Sequence, residues 1–156
     1  MLKEDHSPAG AAMTELVLEI FRVNGLLLAV GDRLTKGLGL SSARWQVLGA
    51  LSNGPLTAAQ IARNMGLQRQ GVQRLVDLLD EEGVVAFEDN PHHRRAKLVR
   101  MTDAGQRKHA QISRIQARWV NGLSRGLSAK ELRTAVALLR NIDVRLRQRP
   151  DAVVEP

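Results

Sequence analysis

"LTAAQIARNMGLQRQGVQRLVDLLDEEG", residues 56–83, is the stretch on which the fold turns. Thr57 has the hydroxyl of a good helix N-cap, and the run Ala58 to Met65 behind it stops at Gly66. After the tight Met-Gly-Leu turn the pattern predicts a longer helix from about Gln68 to Glu82. Its buried side is expected to be Val72, Leu75, Val76, Leu78 and Leu79, and Gly83 is placed to end it as a C-cap. Two helices joined by so short a glycine-containing turn cross steeply, which is the geometry of a helix-turn-helix.

Downstream, "VVAFE" (84–88) and "KLVRM" (97–101) are short strand-like runs around the loop "DNPHHRRAK" (89–97), and they read as a hairpin. Upstream, Ser41 or Ser42 caps a helix that carries Trp45, Val47, Leu48 and Leu51 and is stopped by "NGP" (53–55). Helix, short helix, turn, longer helix and hairpin make a winged helix-turn-helix over 41–101. The expected fold class is mainly α with a small β-hairpin, flanked by N- and C-terminal dimerisation helices. The N-terminal one, 13–36, has a seam of Leu16, Ile20, Val23, Leu27, Val30 and Leu34 at alternating steps of four and three. Val17, Phe21 and Leu28 widen it beyond what one neighbour covers. The C-terminal ones, 102–147, open at Thr102 and Ser128; the first carries Ile112, Ile115, Trp119 and Leu123, the second Leu132, Val136, Leu139, Ile142 and Leu146. Residues 1–12 and 148–156 are expected as disordered tails.

A chain of 156 residues holds one compact domain, or a domain plus dimerisation arms. At 44% hydrophobic and 25% charged it has an ordinary water-soluble composition, without the ~18-residue apolar run that spans a bilayer. "MLKEDHSPAG" has no leader signature, so the expected location is the cytoplasm and no membrane partner is expected. The absence of cysteine excludes disulfides, a thiol nucleophile and a thiolate zinc site. A net charge of +7 suggests an anionic partner, and the distribution sharpens this. Between Asp32 and Asp77 there is no acidic residue, whereas Arg33, Lys36, Arg44, Arg63, Arg69 and Arg74 fall there. A second acid-free window, Asn90 to Thr102, holds Arg94, Arg95, Lys97 and Arg100. These windows fall on the helix pair and on the hairpin tip, the two parts that such a module presents to DNA.

A helix in the major groove reads base edges through long side chains in its first two turns. Gln68, Arg69, Gln70 and Gln73 meet that requirement as base contacts, with Arg74 nearer the DNA backbone; a merely solvated polar face is the plainer alternative. Gly71 costs this helix roughly 1 kcal/mol relative to alanine, which suggests a close approach there. Ser41, Ser42 and Thr57 read first as helix caps whose amides can also hold phosphate, and Lys97 joins the backbone set. At the wing tip Arg94 and Arg95 supply guanidinium groups for a minor groove, against the alternative of a solvated basic loop. Vicinal His92 and His93 do not converge on one metal from an extended loop, so no metal or cofactor is implied. Trp45 and Trp119 read as core or dimer-interface residues.

The stretch from Ser41 to about Gln106, "SSARWQVLGALSNGPLTAAQIARNMGLQRQGVQRLVDLLDEEGVVAFEDNPHHRRAKLVRMTDAGQ", resembles the core of the MarR family of bacterial transcriptional regulators. "VRMTDAG" is similar to the family's Leu-Thr-x-x-Gly ending, with Met101 in the Leu position. The family's wing carries Asp-x-Arg, where the acid braces the groove-entering arginine; here His92 and Arg94 stand at those positions, with Asp89 as an alternative brace. The resemblance also implies a pocket for small, often aromatic, ligands, to which Trp45 would contribute.

The expected function is a homodimeric regulator, a repressor, that binds a roughly palindromic double-stranded DNA site with a small ligand tuning its affinity. A winged-helix module for protein assembly is the alternative. An enzyme is disfavoured, because His6, His92, His93 and His109 are scattered and no nucleophile–base pattern stands out.

Overall fold

Ser7 starts the first helix. Its hydroxyl accepts the amide of Gly10 at 3.1 Å, and Pro8 occupies the first helical position, where its missing N–H is not needed. In the computed structural model, which describes residues 6–148, helix α1 therefore runs Pro8–Thr35. Residues 8–12, expected in the N-terminal tail, are helical because "SPAG" is itself a start signal. The tail readings for 1–5 and 149–156 lie outside the described residues.

The chain divides into two compact units, 1–116 and 117–156. In the first, α1 is followed by a short 3-10 turn at Lys36–Leu38, then α2 (Ser42–Ala50), β1 (Leu56–Thr57), α3 (Ala58–Met65), α4 (Arg69–Glu81), β2 (Val85–Glu88) and β3 (Leu98–Met101). Helix α5 (Asp103–Leu123) begins in this unit. Val47 and Leu48 of α2, Ile61 of α3, Val72, Val76 and Leu79 of α4, Val85, Val99 and Ile112 build one core, each at most 1% exposed. Burial of each such side chain is worth about 1.5–3 kcal/mol relative to leaving it in water. On α4 the stripe is 72, 76 and 79 with Leu75 half-buried; Leu78, expected inside, is 43% exposed because it lies about 240° around the helix from Val72.

The hairpin expected from the sequence is part of a three-stranded antiparallel sheet in the order β1-β3-β2. Leu56 pairs with Val99 and Thr57 with Leu98, while Val85 to Glu88 pair with Met101 to Leu98. β1 has two residues, too short for any alternation to betray it.

Two close approaches lock this unit together. A Cβ on Gly31 would lie 2.6 Å from the Ser42 hydroxyl, and beside it the Asp32 carboxylate accepts the Ser42 amide at 2.7 Å. Thus α1 supplies the anion at the N-terminus of α2. Where β3 meets α5, the Thr102 amide donates to the Val84 carbonyl at 3.1 Å, and its hydroxyl donates to the Gly83 carbonyl at 2.6 Å with the Val84 carbonyl 3.1 Å away. The hydroxyl also accepts the Gly105 amide at 3.2 Å, so Thr102 caps α5, and Gly105 is packed directly against the Val84 carbonyl.

In the second unit the described residues are the end of α5 and helix α6 (Ala129–Gln148), which opens at Ser128 with the hydroxyl accepting the Lys130 amide. None of the 20 residues of α6 is buried, although Leu132, Val136, Leu138, Leu139, Val144 and Leu146 lie along it. Over the 28 residues of α1 only Gly31 and Thr35 are buried. Among the described residues no helix is long and apolar enough to cross a membrane.

Candidate nucleic-acid interface

Thr57 holds the start of α3 with a full capping box. Its hydroxyl accepts the Gln60 amide at 3.2 Å, and the Gln60 side-chain oxygen accepts the Thr57 amide at 2.8 Å. Helix α3 ends at Gly66, whose φ of 65° is left-handed, and two residues later α4 begins with Gln68 as an N-cap that makes no side-chain capping bond. The first turn of α4 therefore projects from the fold with Gln68, Arg69 and Gln70 exposed.

The wing tip is two successive turns. Asn90 accepts the His92 amide on its side-chain oxygen at 3.0 Å and the His93 amide on its carbonyl at 3.2 Å. The His93 carbonyl then accepts the Ala96 amide at 3.1 Å, which makes Arg94 and Arg95 the two central residues of the second turn. Both are exposed at the tip. The residue that holds the start of this loop is thus Asn90. The side chains of His92 and Asp89 take no part in these turn bonds.

A single groove runs between the wing, the start of α3 and the start of α4. Arg69 and Gln73 from α4, Arg95 and Lys97 from the wing, and Gln60 and Arg63 from α3 line it, and no carboxylate does among the described residues. Gln60 and Arg63 were not in the expected set, although Arg63 falls in the first acid-free window one turn beyond Gln60. Gln68, Gln70 and Arg74 are exposed on α4 outside this lining, and Arg94 stands on the tip outside it.

Three acids of this lobe are partnered. Glu82 pairs with Arg44 at 2.8 Å, Glu88 with Arg100 at 3.2 Å, and the Asp77 carboxylate accepts the Gln73 amide at 2.8 Å. Arg44 and Arg100 are consequently neutralised locally and drop out of the positive surface that the acid-free windows suggested.

The three hydroxyl positions divide. Ser42 is 6% exposed, with its amide on Asp32 and its side chain against Gly31, so it is corrected from phosphate contact to an internal joint. Ser41 caps α2 by accepting the Arg44 amide at 3.3 Å, but the anion at that helix end is Asp32. Thr57 remains in the groove lining. Trp45 is half-buried against the core and does not line the groove.

Comparison with known proteins adds the following. Residues 38–96 match the sequence profile of the MarR family. An uncharacterised protein of Mycobacterium tuberculosis is 38% identical over 95 residues, which are 61% of this chain and 66% of that protein. The transcriptional activatory protein BadR of Rhodopseudomonas palustris is 31% identical over 96 residues, 58% of this chain and 54% of its own length. The chain therefore spans about two thirds of the first of these relatives and about half of the second. Among solved structures, CouR from Rhodococcus jostii bound to p-coumaroyl-CoA superposes with a TM-score of 0.75 at 23% identity, over 82% of this chain and 91% of CouR. A MarR variant from E. coli complexed with operator DNA superposes with a TM-score of 0.72 at 22% identity, over 87% and 99%. At these identities the structural likeness is one of fold.

Proposed function

We propose that this chain, whose residues 38–96 match the MarR family profile, is a member of that family and a homodimeric regulator of transcription that binds double-stranded DNA sequence-specifically. The observation that carries the reading is the carboxylate-free groove, in which Arg69 and Gln73 of α4 face Arg95 and Lys97 of the wing. In this reading Arg69 and Gln73 read base edges in the major groove, with Gln68 and Gln70 beside them. Arg74, Lys97 and the Thr57 helix start hold phosphate, and the Arg94–Arg95 turn enters the neighbouring minor groove. Two copies related by a two-fold axis place two α4 helices about 34–36 Å apart on a roughly palindromic site.

The dimer is supported by the uncovered apolar residues of α1 and α6, including Phe21 at 69% and Leu146 at 67% exposure. A small ligand that tunes affinity completes the reading, supported by the acyl-CoA held in the CouR structure and by half-buried Trp45. Regulation is by repression. BadR is named for the opposite sign, so transcript levels from the protein's own promoter in a deletion strain decide: a rise supports repression, a fall activation.

Binding to the protein's own upstream DNA, measured by anisotropy across a salt series, tests the whole reading. Wild-type protein is expected to bind one fragment well above random DNA, with a steep negative dependence of log affinity on log salt. Arg94→Ala is expected to flatten that slope by roughly one unit and to weaken binding, with stability kept within about 0.5 kcal/mol, because a turn tip buries little. Weak, salt-insensitive binding would instead favour a protein-assembly role.

Gly71 gives a second, independent handle. It sits inside α4 with nothing within 4 Å of a Cβ built on it, so no contact inside the protein requires glycine there. Gly71→Ala is expected to raise unfolding stability by about 0.5–1 kcal/mol while it weakens DNA binding. A variant that is stabilised and binds DNA as tightly as wild type would show that DNA does not approach the helix at this point.

A further inference from the structure

Beyond the reading just given, on which this step rests, we propose that Asp77 fixes the polarity of the Gln73 side-chain amide and so makes adenine, rather than guanine, the purine selected at that position. Gln73 is half-buried, lines the groove, and donates through Nε2 to the Asp77 carboxylate one helical turn further along α4, at 2.8 Å.

A primary amide has an acceptor end and a donor end, and a half-turn about its last torsion exchanges them. In the major groove adenine offers a donor at N6 and an acceptor at N7, whereas guanine offers acceptors at both O6 and N7. An unrestrained glutamine serves either purine: it gives carbonyl and N–H to adenine, or turns its amino group toward guanine. With Nε2 tethered to Asp77, the turned orientation would set the carbonyl oxygen against the carboxylate. The tethered orientation keeps Oε1 available as an acceptor, and Nε2 retains a second hydrogen. Adenine matches that pair of groups, and guanine meets an acceptor with an acceptor.

Asp77 is also the first acid after a window that runs from residue 33 without one, close to where phosphates would lie. Counting charges alone, removing it would strengthen binding to every sequence alike. Positioning gives a different result, because the preference itself changes.

Sites are selected from random DNA with wild type, Asp77→Ala, Asp77→Asn and Gln73→Ala, and affinities are measured on site pairs that exchange A·T for G·C at the position whose preference Gln73→Ala removes. Wild type is expected to favour adenine about tenfold or more. Asp77→Ala is expected to bring the two purines within about twofold of each other. Asp77→Asn, which keeps an acceptor for Nε2 but loses the charge, is expected to retain adenine preference while its salt dependence changes. Asp77→Ala with undiminished adenine preference and uniformly tighter binding would overturn the proposal, as would a Gln73→Ala variant with wild-type preference at every position. If wild type selects no site at all, the DNA-binding reading itself fails and takes this one with it; a selected site with unchanged purine ratios refutes only the role of Asp77.

Discussion

Gly105→Ala is expected to lower the unfolding free energy by about 3 kcal/mol or more and to abolish DNA binding under conditions where wild type binds. A Cβ at this position would lie 2.1 Å from the carbonyl oxygen of Val84 and 3.2 Å from its carbonyl carbon. The obstruction is backbone, so no rotamer change relieves it. Helix α5 has to move away, and the Thr102 bonds to the same carbonyl break with it. Val84 and Val85, both 1% exposed, lose their register in the core, and the wing that β2 and β3 support shifts relative to α4. Denaturant titration measures the loss, and for a chain of this size the thermal midpoint should fall on the order of 10 °C. Gly122→Ala on the same helix is the control, because nothing lies within 4 Å of its added carbon; it should be neutral or slightly stabilising. A Gly105→Ala variant within about 0.5 kcal/mol of wild type would show that α5 and β2 are not packed this closely.

The paired substitution Val136→Asp, Leu139→Asp is expected to give a monomer at micromolar concentration and to weaken DNA binding on the order of 100-fold or more. These side chains are 45% and 44% exposed along a helix with no buried residue, so the carboxylates cost little within one chain. In a dimer interface each would be desolvated without a partner. The buried core residues all lie between Leu40 and Ile112, so the lobe they build should keep its far-ultraviolet circular dichroism and its cooperative melt. Sedimentation reads the assembly state, and anisotropy on a two-half-site operator reads the affinity, because loss of the second lobe removes the advantage of simultaneous engagement. A variant that remains dimeric would place the interface elsewhere.

Local chemistry carried most of what the sequence disclosed. Thr57, Gly66, Gly83 and Thr102 act on residues within a few positions of themselves, and all four mark helix boundaries in the structure as their types predict. Ser7 and Pro8 are an equally local start signal, and α1 begins at them. What stayed hidden depends on residues far apart in the chain: Asp32 meeting Ser42, Leu56 pairing with Val99, Gly105 against Val84, and Arg44 with Glu82. No periodicity encodes such pairs. The charge map erred for the same reason, since it placed Arg44 and Arg100 on the positive face without knowledge of the acids that neutralise them. For the candidate site, residue types and their windows were readable, whereas the division between groove and exterior, Arg69 and Gln73 on one side and Gln68, Gln70 and Arg74 on the other, required the crossing of α3 and α4 in space.

The two residue pairs that join β1 to β3 turn the lobe into a pair of calipers with one fixed opening. Thr57 ends β1 and caps α3, while Leu98, its partner, begins the strand that leaves the wing turn. The helix pair and the base of the wing are therefore rivets in the same plate, and the two hydrogen-bonded turns of residues 90–96 carry Arg94 and Arg95 out from it. For the DNA contact proposed above, the number of base pairs between the major-groove and minor-groove footprints within a half-site is then a constant of the protein. In the proposed dimer, a ligand or a change at the interface would alter the distance between the two lobes and leave the gauge of each lobe unchanged.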